Sequence, residues 1–130
     1  MKQTVNAHAM QLSILLAVGA LATGCSSEQR LTVTATAFNS TRAQTDGSPR
    51  KTACGTKLQP GDQVIAISRD LAKQGLVCGS QLKIDRLDGT WTVVDLTAAR
   101  HKRRIDIYMG RDVKAARAWG VQKVDIRWSE

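Results

Sequence analysis

Aromatic residues make up only 4% of this 130-residue chain: Phe38, Trp91, Tyr108, Trp119 and Trp128. Cysteine is scarcer, with three, and histidine scarcest, with two. A zinc centre needs four close Cys or His ligands. Cys54 and Cys78 have no such companions, so no metal and no cofactor is expected. No apolar run reaches the roughly twenty residues that span a bilayer core; the longest, Leu12–Ala22, holds about eleven. There is no glycine-rich phosphate loop, no nucleophilic Ser or Cys arrangement, no repeat and no low-complexity tract. The length allows one domain with a modest core.

What the chain does have is positive charge. Nineteen Lys and Arg stand against eleven Asp and Glu, a formal charge of +8. A basic, aromatic-poor domain suits nucleic acid, an anionic membrane surface or an anionic polymer. The N-terminus narrows that choice. Lys2 precedes the apolar segment Leu12–Ala22, and Leu21-Ala22-Thr23-Gly24-Cys25 follows. This pattern reads as an export signal, and its end resembles a bacterial lipobox. Leu21 stands one place earlier than the usual lipobox Leu. The resemblance implies lipidation of Cys25 after removal of residues 1–24, and Ser26 after it implies sorting to the periplasmic side of the outer membrane. An ordinary signal peptide cut nearby is the alternative. Export makes nucleic acid an unexpected partner. Residues 25–30 would form the lipidated Cys and a short tether, so residues 31–130 would work close to a membrane.

Export also permits disulfides. With Cys25 lipidated, Cys54 and Cys78 form an even pair. Closing a loop of about 25 residues is worth roughly 3–4 kcal/mol in the chain-entropy model.

Leu31–Phe38 alternates apolar residues with Thr and predicts a half-buried strand. Asn39–Gly55 reads as a long polar loop. Gln63–Ile67, Gln81–Arg86, Trp91–Asp95, Arg104–Tyr108 and Val121–Trp128 read as further strands, with an Asp88-Gly89 hairpin turn. Ser68 is expected to cap a one-turn helix through Lys73 and Asp112 a helix through Trp119, with Gly120 at its C-terminal end. Many short strands and few helices argue for a small closed barrel.

The C-terminal half resembles a known family. Val93-Val94-Asp95 is followed by Asp106 within Arg104-Ile105-Asp106-Ile107-Tyr108, then Ala115-Ala116, Trp119-Gly120 and a strand ending in Trp128. This resembles the 3D (three-aspartate) domain, found in membrane-bound lytic transglycosylases and other cell-wall proteins. Thr34–Phe38, Thr52-Ala53-Cys54-Gly55 and Val64-Ile65-Ala66 fit it as well. The resemblance spans about residues 31–128. It implies a mainly β fold, a small six-stranded double-psi β-barrel with one or two short helices. It also implies peptidoglycan glycan strands as the partner and Asp106 as the catalytic acid. Asp95 maps to a second family aspartate, and Asp70 is the carboxylate nearest the place of the third, where Ser68 stands. The family's Gly-Gly after the earlier Asp is absent; Leu96-Thr97-Ala98 stands there. The second domain that completes the groove of full-length transglycosylases is not expected in a chain of this length.

Lytic cleavage can run on one carboxyl group. The acid protonates the glycosidic oxygen, and its carboxylate then takes the proton of the sugar's C6 hydroxyl as a 1,6-anhydro ring closes. Such an acid needs a raised pKa. Asp95 beside Asp106 would raise it, and Arg103 or Arg104 in contact would lower it. Both aspartates could instead be structural. On the family reading Tyr108 and Trp91 contact sugar, Trp91 being the tryptophan expected to be exposed. Arg103 and Arg104, in the basic run Arg100–Arg104, would meet substrate carboxylates or lipid headgroups, or else form a solvated connection. His101 is expected to belong to that basic face, and Trp119 and Trp128 to the core. Three function classes follow: a lytic-transglycosylase-like enzyme, a catalytically silent peptidoglycan-binding lipoprotein, and an adaptor docking another envelope protein.

Overall fold

The computed structural model describes residues 26–40 and 51–130, with Gly19 and Gly24. The rest of the expected signal segment, Cys25 and residues 41–50 of the expected loop lie outside them. The described residues form six strands: β1 (Glu28–Phe38), β2 (Val64–Ile67), β3 (Gln81–Ile84), β4 (Trp91–Leu96), β5 (Arg104–Tyr108) and β6 (Gln122–Ser129). Two helices, α1 (Arg69–Ala72) and α2 (Val113–Trp119), lie between them. The strands close in the order β1-β5-β2-β4-β3-β6. β1 runs parallel to β5 and β2 to β4, and the other neighbours are antiparallel. The fold is the expected mainly β, double-psi type of barrel. Among the described residues, closure pairs each of the six strands on both sides.

Period-two patterning fills the barrel. Val33 and Ala35 of β1, Ile65 and Ile67 of β2, Ile105 and Ile107 of β5, and Val124, Ile126 and Trp128 of β6 meet in one core. Leu71 anchors the four-residue α1 in that core, and α2 packs on β1. Asp112 caps α2 as expected, its side chain accepting from the Ala115 amide at 2.9 Å. Gly120 ends the helix at φ 63°, a left-handed conformation that glycine adopts without strain. Val121 therefore falls in the turn, 74% exposed, and β6 begins at Gln122.

Two local expectations are corrected. Ser68 precedes α1 but makes no side-chain cap; its hydroxyl oxygen accepts from the Arg104 amide instead, at 2.9 Å. Trp91 is not exposed. It pairs with Leu82 on the inward face of the β3–β4 hairpin, is 8% accessible, and donates its indole N–H to the Asp88 carbonyl at 3.2 Å. A position beside a turn did not override the strand's inward face.

A smaller cluster lies on the other face of the wall. Val64, Val94 and Tyr108 pack with Phe38 and Leu58 there, and the Phe38 and Tyr108 rings are 5.3 Å apart. Beside this cluster, Cys54 and Cys78 are joined in a disulfide with a Cα–Cα distance of 5.7 Å. Each end of the bridge is seated on β4: the Cys54 amide donates to the Val94 carbonyl and the Gly79 amide to that of Val93.

Candidate functional site

Asp106 and Asp95 come together through Ala66. Asp106 is in register with Ala66 across β5 and β2, and Ala66 is in register with Asp95 across β2 and β4. The β2–β4 register shifts between Ile65, which faces Val93, and Ala66, which faces Asp95. Val94 is thereby passed over. A bulge of this kind puts two residues opposite one, so Asp95 joins the outer face after Val94 rather than turning into the core. The two aspartates are two strand spacings apart, about 10 Å between Cα atoms. The methyl group of Ala66 is all that stands in register between them.

Asp95 is 6% accessible, and its Oδ1 accepts from the Ala53 amide at 2.8 Å and the Leu96 amide at 2.9 Å. Because Cys54 is bridged to Cys78 and hydrogen-bonded to β4, the Ala53 amide is held where Asp95 can receive it. Leu96, the first residue after Asp95, packs its side chain against the core.

Asp106 is half-buried and accepts from the Thr36 hydroxyl at 3.1 Å on Oδ1. Thr36 is its register partner on the parallel strand β1. The same hydroxyl oxygen accepts from Arg104 Nε at 3.3 Å and Nη2 at 3.1 Å. Thr36 thus joins the carboxylate and the guanidinium through one oxygen. Arg104 Nη1 also lies 3.4 Å from His101 Nε2. A guanidinium only donates, so Nε2 is the acceptor and the neutral ring carries its proton on Nδ1. Loss of water contact first, then the charges of Arg104 and Arg100, hold the His101 pKa below 6.5, against the opposite pull of Asp106.

Asp70 stands apart from this row, in the first turn of α1. Its Oδ2 accepts from the Arg103 amide at 2.9 Å. Burial acts to raise its pKa, but the Ser68 hydroxyl, the amides of Arg103 and Asp70 itself, and the Lys102 charge outweigh it, leaving it below 3.8. Arg103 has φ 44°, which is costly for a residue with a side chain. Its carbonyl accepts from the Thr34 amide at 2.8 Å, so both sides of the strained residue are fastened.

Tyr108 is 2% accessible, its hydroxyl 2.6 Å from Ser40 Oγ. It borders an open groove of about 440 Å³ with Trp91, Gln63 and Arg111. Asp106 and Asp95 do not line that groove. Sequence reasoning missed Thr36 and the contact of His101 with Arg104. Thr36 belongs to the polar half of β1, but only parallel pairing across seventy residues brings it to Asp106. Among the described residues, no group of three metal-ligating side chains occurs, and no helix is long and apolar enough to cross a membrane.

No protein-family model and no curated protein sequence matches the chain. Solved structures do. A Clavibacter michiganensis expansin in complex with cellohexaose aligns with a TM-score of 0.51 at 14% identity, over 78% of this chain and 50% of the expansin. The crystal structure of MltA from E. coli aligns with a TM-score of 0.47 at 18% identity, over 64% of this chain and 28% of MltA. A second MltA structure, described as a lytic transglycosylase, gives the same score at 17% identity. The chain thus spans about a quarter of MltA and half of the expansin, and what it shares with the expansin at this identity is the barrel fold.

Proposed function

We propose that the protein is an envelope lipoprotein, anchored through Cys25 on the periplasmic side of the outer membrane, whose 3D-type barrel cleaves peptidoglycan glycan strands in the manner of a lytic transglycosylase. The observation that carries this reading is the row Thr36, Asp106, Ala66, Asp95 on one face of the wall. Two carboxylates share that face with only a methyl group in register between them, and an expansin barrel of the same fold is recorded with cellohexaose.

In this reading Asp106 is the catalytic residue. Its proton passes to the glycosidic oxygen as the bond from that oxygen to C1 breaks. The carboxylate then accepts the proton of the C6 hydroxyl, whose oxygen closes on C1. Asp106 ends protonated as it began, and no water is consumed. Thr36 orients Oδ1. Asp95 acts as a positioning residue, since its Oδ1 fixes the Ala53 amide and with it the turn above the row. Asp70 fixes Arg103 and so the approach to Arg104. Arg103 and Arg104 present positive charge to the stem-peptide carboxylates. Tyr108 and Trp91 supply the floor of the neighbouring groove rather than an exposed stacking platform.

A silent peptidoglycan-binding barrel is the second reading. It is favoured by the absent Gly-Gly and by the two amides that occupy Asp95. Digestion of purified sacculi separates the two. The enzyme reading expects 1,6-anhydromuramic products by mass spectrometry. Retained sacculus binding without products would select the silent barrel.

A further inference from the structure

The other half of the wall carries a charged arrangement that the Asp106 face does not use. Lys83 of β3 is in register with Arg127 of β6, and Arg127 with Arg30 of β1. Like charges directly opposite one another destabilise a sheet. Their compensation is incomplete. Arg30 lies 3.5 Å from Asp125 and Arg127 only 4.0 Å from Glu28, while Lys83 has no ion pair among the described residues.

Beside this row is an open hollow of about 420 Å³, bordered by Lys83, Arg127, Gln81, Thr90, Trp128 and Glu28. Trp128 is 6% accessible, yet its indole N–H has no partner among the described residues. Lys83, with no ion pair among the described residues, and Arg127, with only a long one, stand on the outer side of this hollow, and such a pair of cations calls for an anion.

Its position says which anion. Glu28 on the rim opens β1, three residues after Cys25, and three extended residues reach at most about 10 Å. The basic run Arg100–Arg104 is farther along: Arg104 pairs with Thr34, six residues up β1 and about 20 Å away. In the closed order β6 lies opposite β2, so this hollow and the Asp106 row occupy opposite halves of the barrel.

We propose that the β3–β6–β1 hollow binds the phosphate headgroup of an anionic phospholipid through Lys83 and Arg127, with the Trp128 ring bordering the site. The choice of lipid rests on the reading of Cys25 as the anchor. Headgroup binding lays this half of the barrel on the membrane and turns the Asp106 row outward, toward the cell wall.

The test is an NMR titration of the ¹⁵N-labelled full chain with monomeric dihexanoyl-phosphatidylglycerol, following the three tryptophan indole cross-peaks. The Trp128 peak is expected to shift and saturate, with Trp91 and Trp119 unmoved, and dihexanoyl-phosphatidylcholine is expected to leave all three in place. Lys83→Gln and Arg127→Gln should each weaken binding roughly tenfold, one charge-assisted hydrogen bond apiece. Both are surface changes, and unchanged Trp91 and Trp119 peaks report an intact barrel. An unmoved Trp128 peak, or an equal response to phosphatidylcholine, would overturn the site. Equal saturation by inorganic phosphate, or a response to muropeptides alone, would overturn the lipid as occupant. None of these readouts depends on Asp106 activity, and the intact mass of the processed protein tests the Cys25 anchor separately.

Discussion

In the β3–β6–β1 half of the barrel, side chains follow period two residue by residue; in the β5–β2–β4 half they do not. On the first, Ile84 pairs with Ile126 inside while Lys83 pairs with Arg127 outside. On the second, a bulge sets Val94 and Asp95 against the outer face together, and Arg103 enters β5 from a left-handed conformation. The regular half is held by hydrophobic packing inside and by surface pairs such as Thr32 with Asp125 outside. Its one left-handed residue with a side chain among the described residues, Arg86, lies in the turn after β3. The irregular half gathers carboxylates, a guanidinium and strained backbone, and it is fastened accordingly. The disulfide holds the 51–57 turn, Asp70 holds Arg103, and Ser68 holds Arg104. Where this wall departs from alternation, each departure is tied down by a specific bond.

The largest break in this comparison should come from the disulfide. Replacing Cys54 and Cys78 with Ser is expected to lower stability by about 3–4 kcal/mol in urea unfolding. Amide exchange should rise first at Ala53 and Leu96, on the aspartate half. Asp95→Ala leaves those two amides unsatisfied and should cost about 2–3 kcal/mol, again with the exchange confined to that half. On the regular half, Ile126→Val should cost about 1 kcal/mol by thermal unfolding while sacculus digestion stays at the wild-type rate; a loss of digestion would erase the distinction between the halves. The smallest effect is acid sensitivity. Asp70 titrates below 3.8 in the folded protein, so its ionised form stabilises the fold above that pH, and this is lost as pH falls through the lower folded value. The stability gap between wild type and Asp70→Asn should therefore be full at neutral pH and close in acid below about pH 4.

The same contrast explains what was legible in the sequence. β6 was legible as the strand Val121–Trp128, because local patterning decides a regular strand, and in the structure Val124, Ile126 and Trp128 face inward from Gln122–Ser129. The Asp112 cap, the Gly120 stop and the Cys54–Cys78 bridge were readable for the same reason: each depends on a few residues and on one compartment rule. The row of Asp106 and Asp95 was not readable from pattern. It depends on a bulge and on strands that pair in parallel across long separations, and neither leaves a local trace. Resemblance to a family supplied both aspartates where periodicity could not. Trp91 shows the opposite failure. Its place after a turn suggested exposure, but pairing with Leu82 points it inward.

The central claim is that Asp106 moves the proton. Its most direct test is the rate of 1,6-anhydromuramic product release from purified sacculi by wild type and by Asp106→Asn, with both proteins shown to be folded and to sediment equally with sacculi. The account predicts products from wild type and none above background from the variant. Product release by Asp106→Asn at the wild-type rate would contradict it.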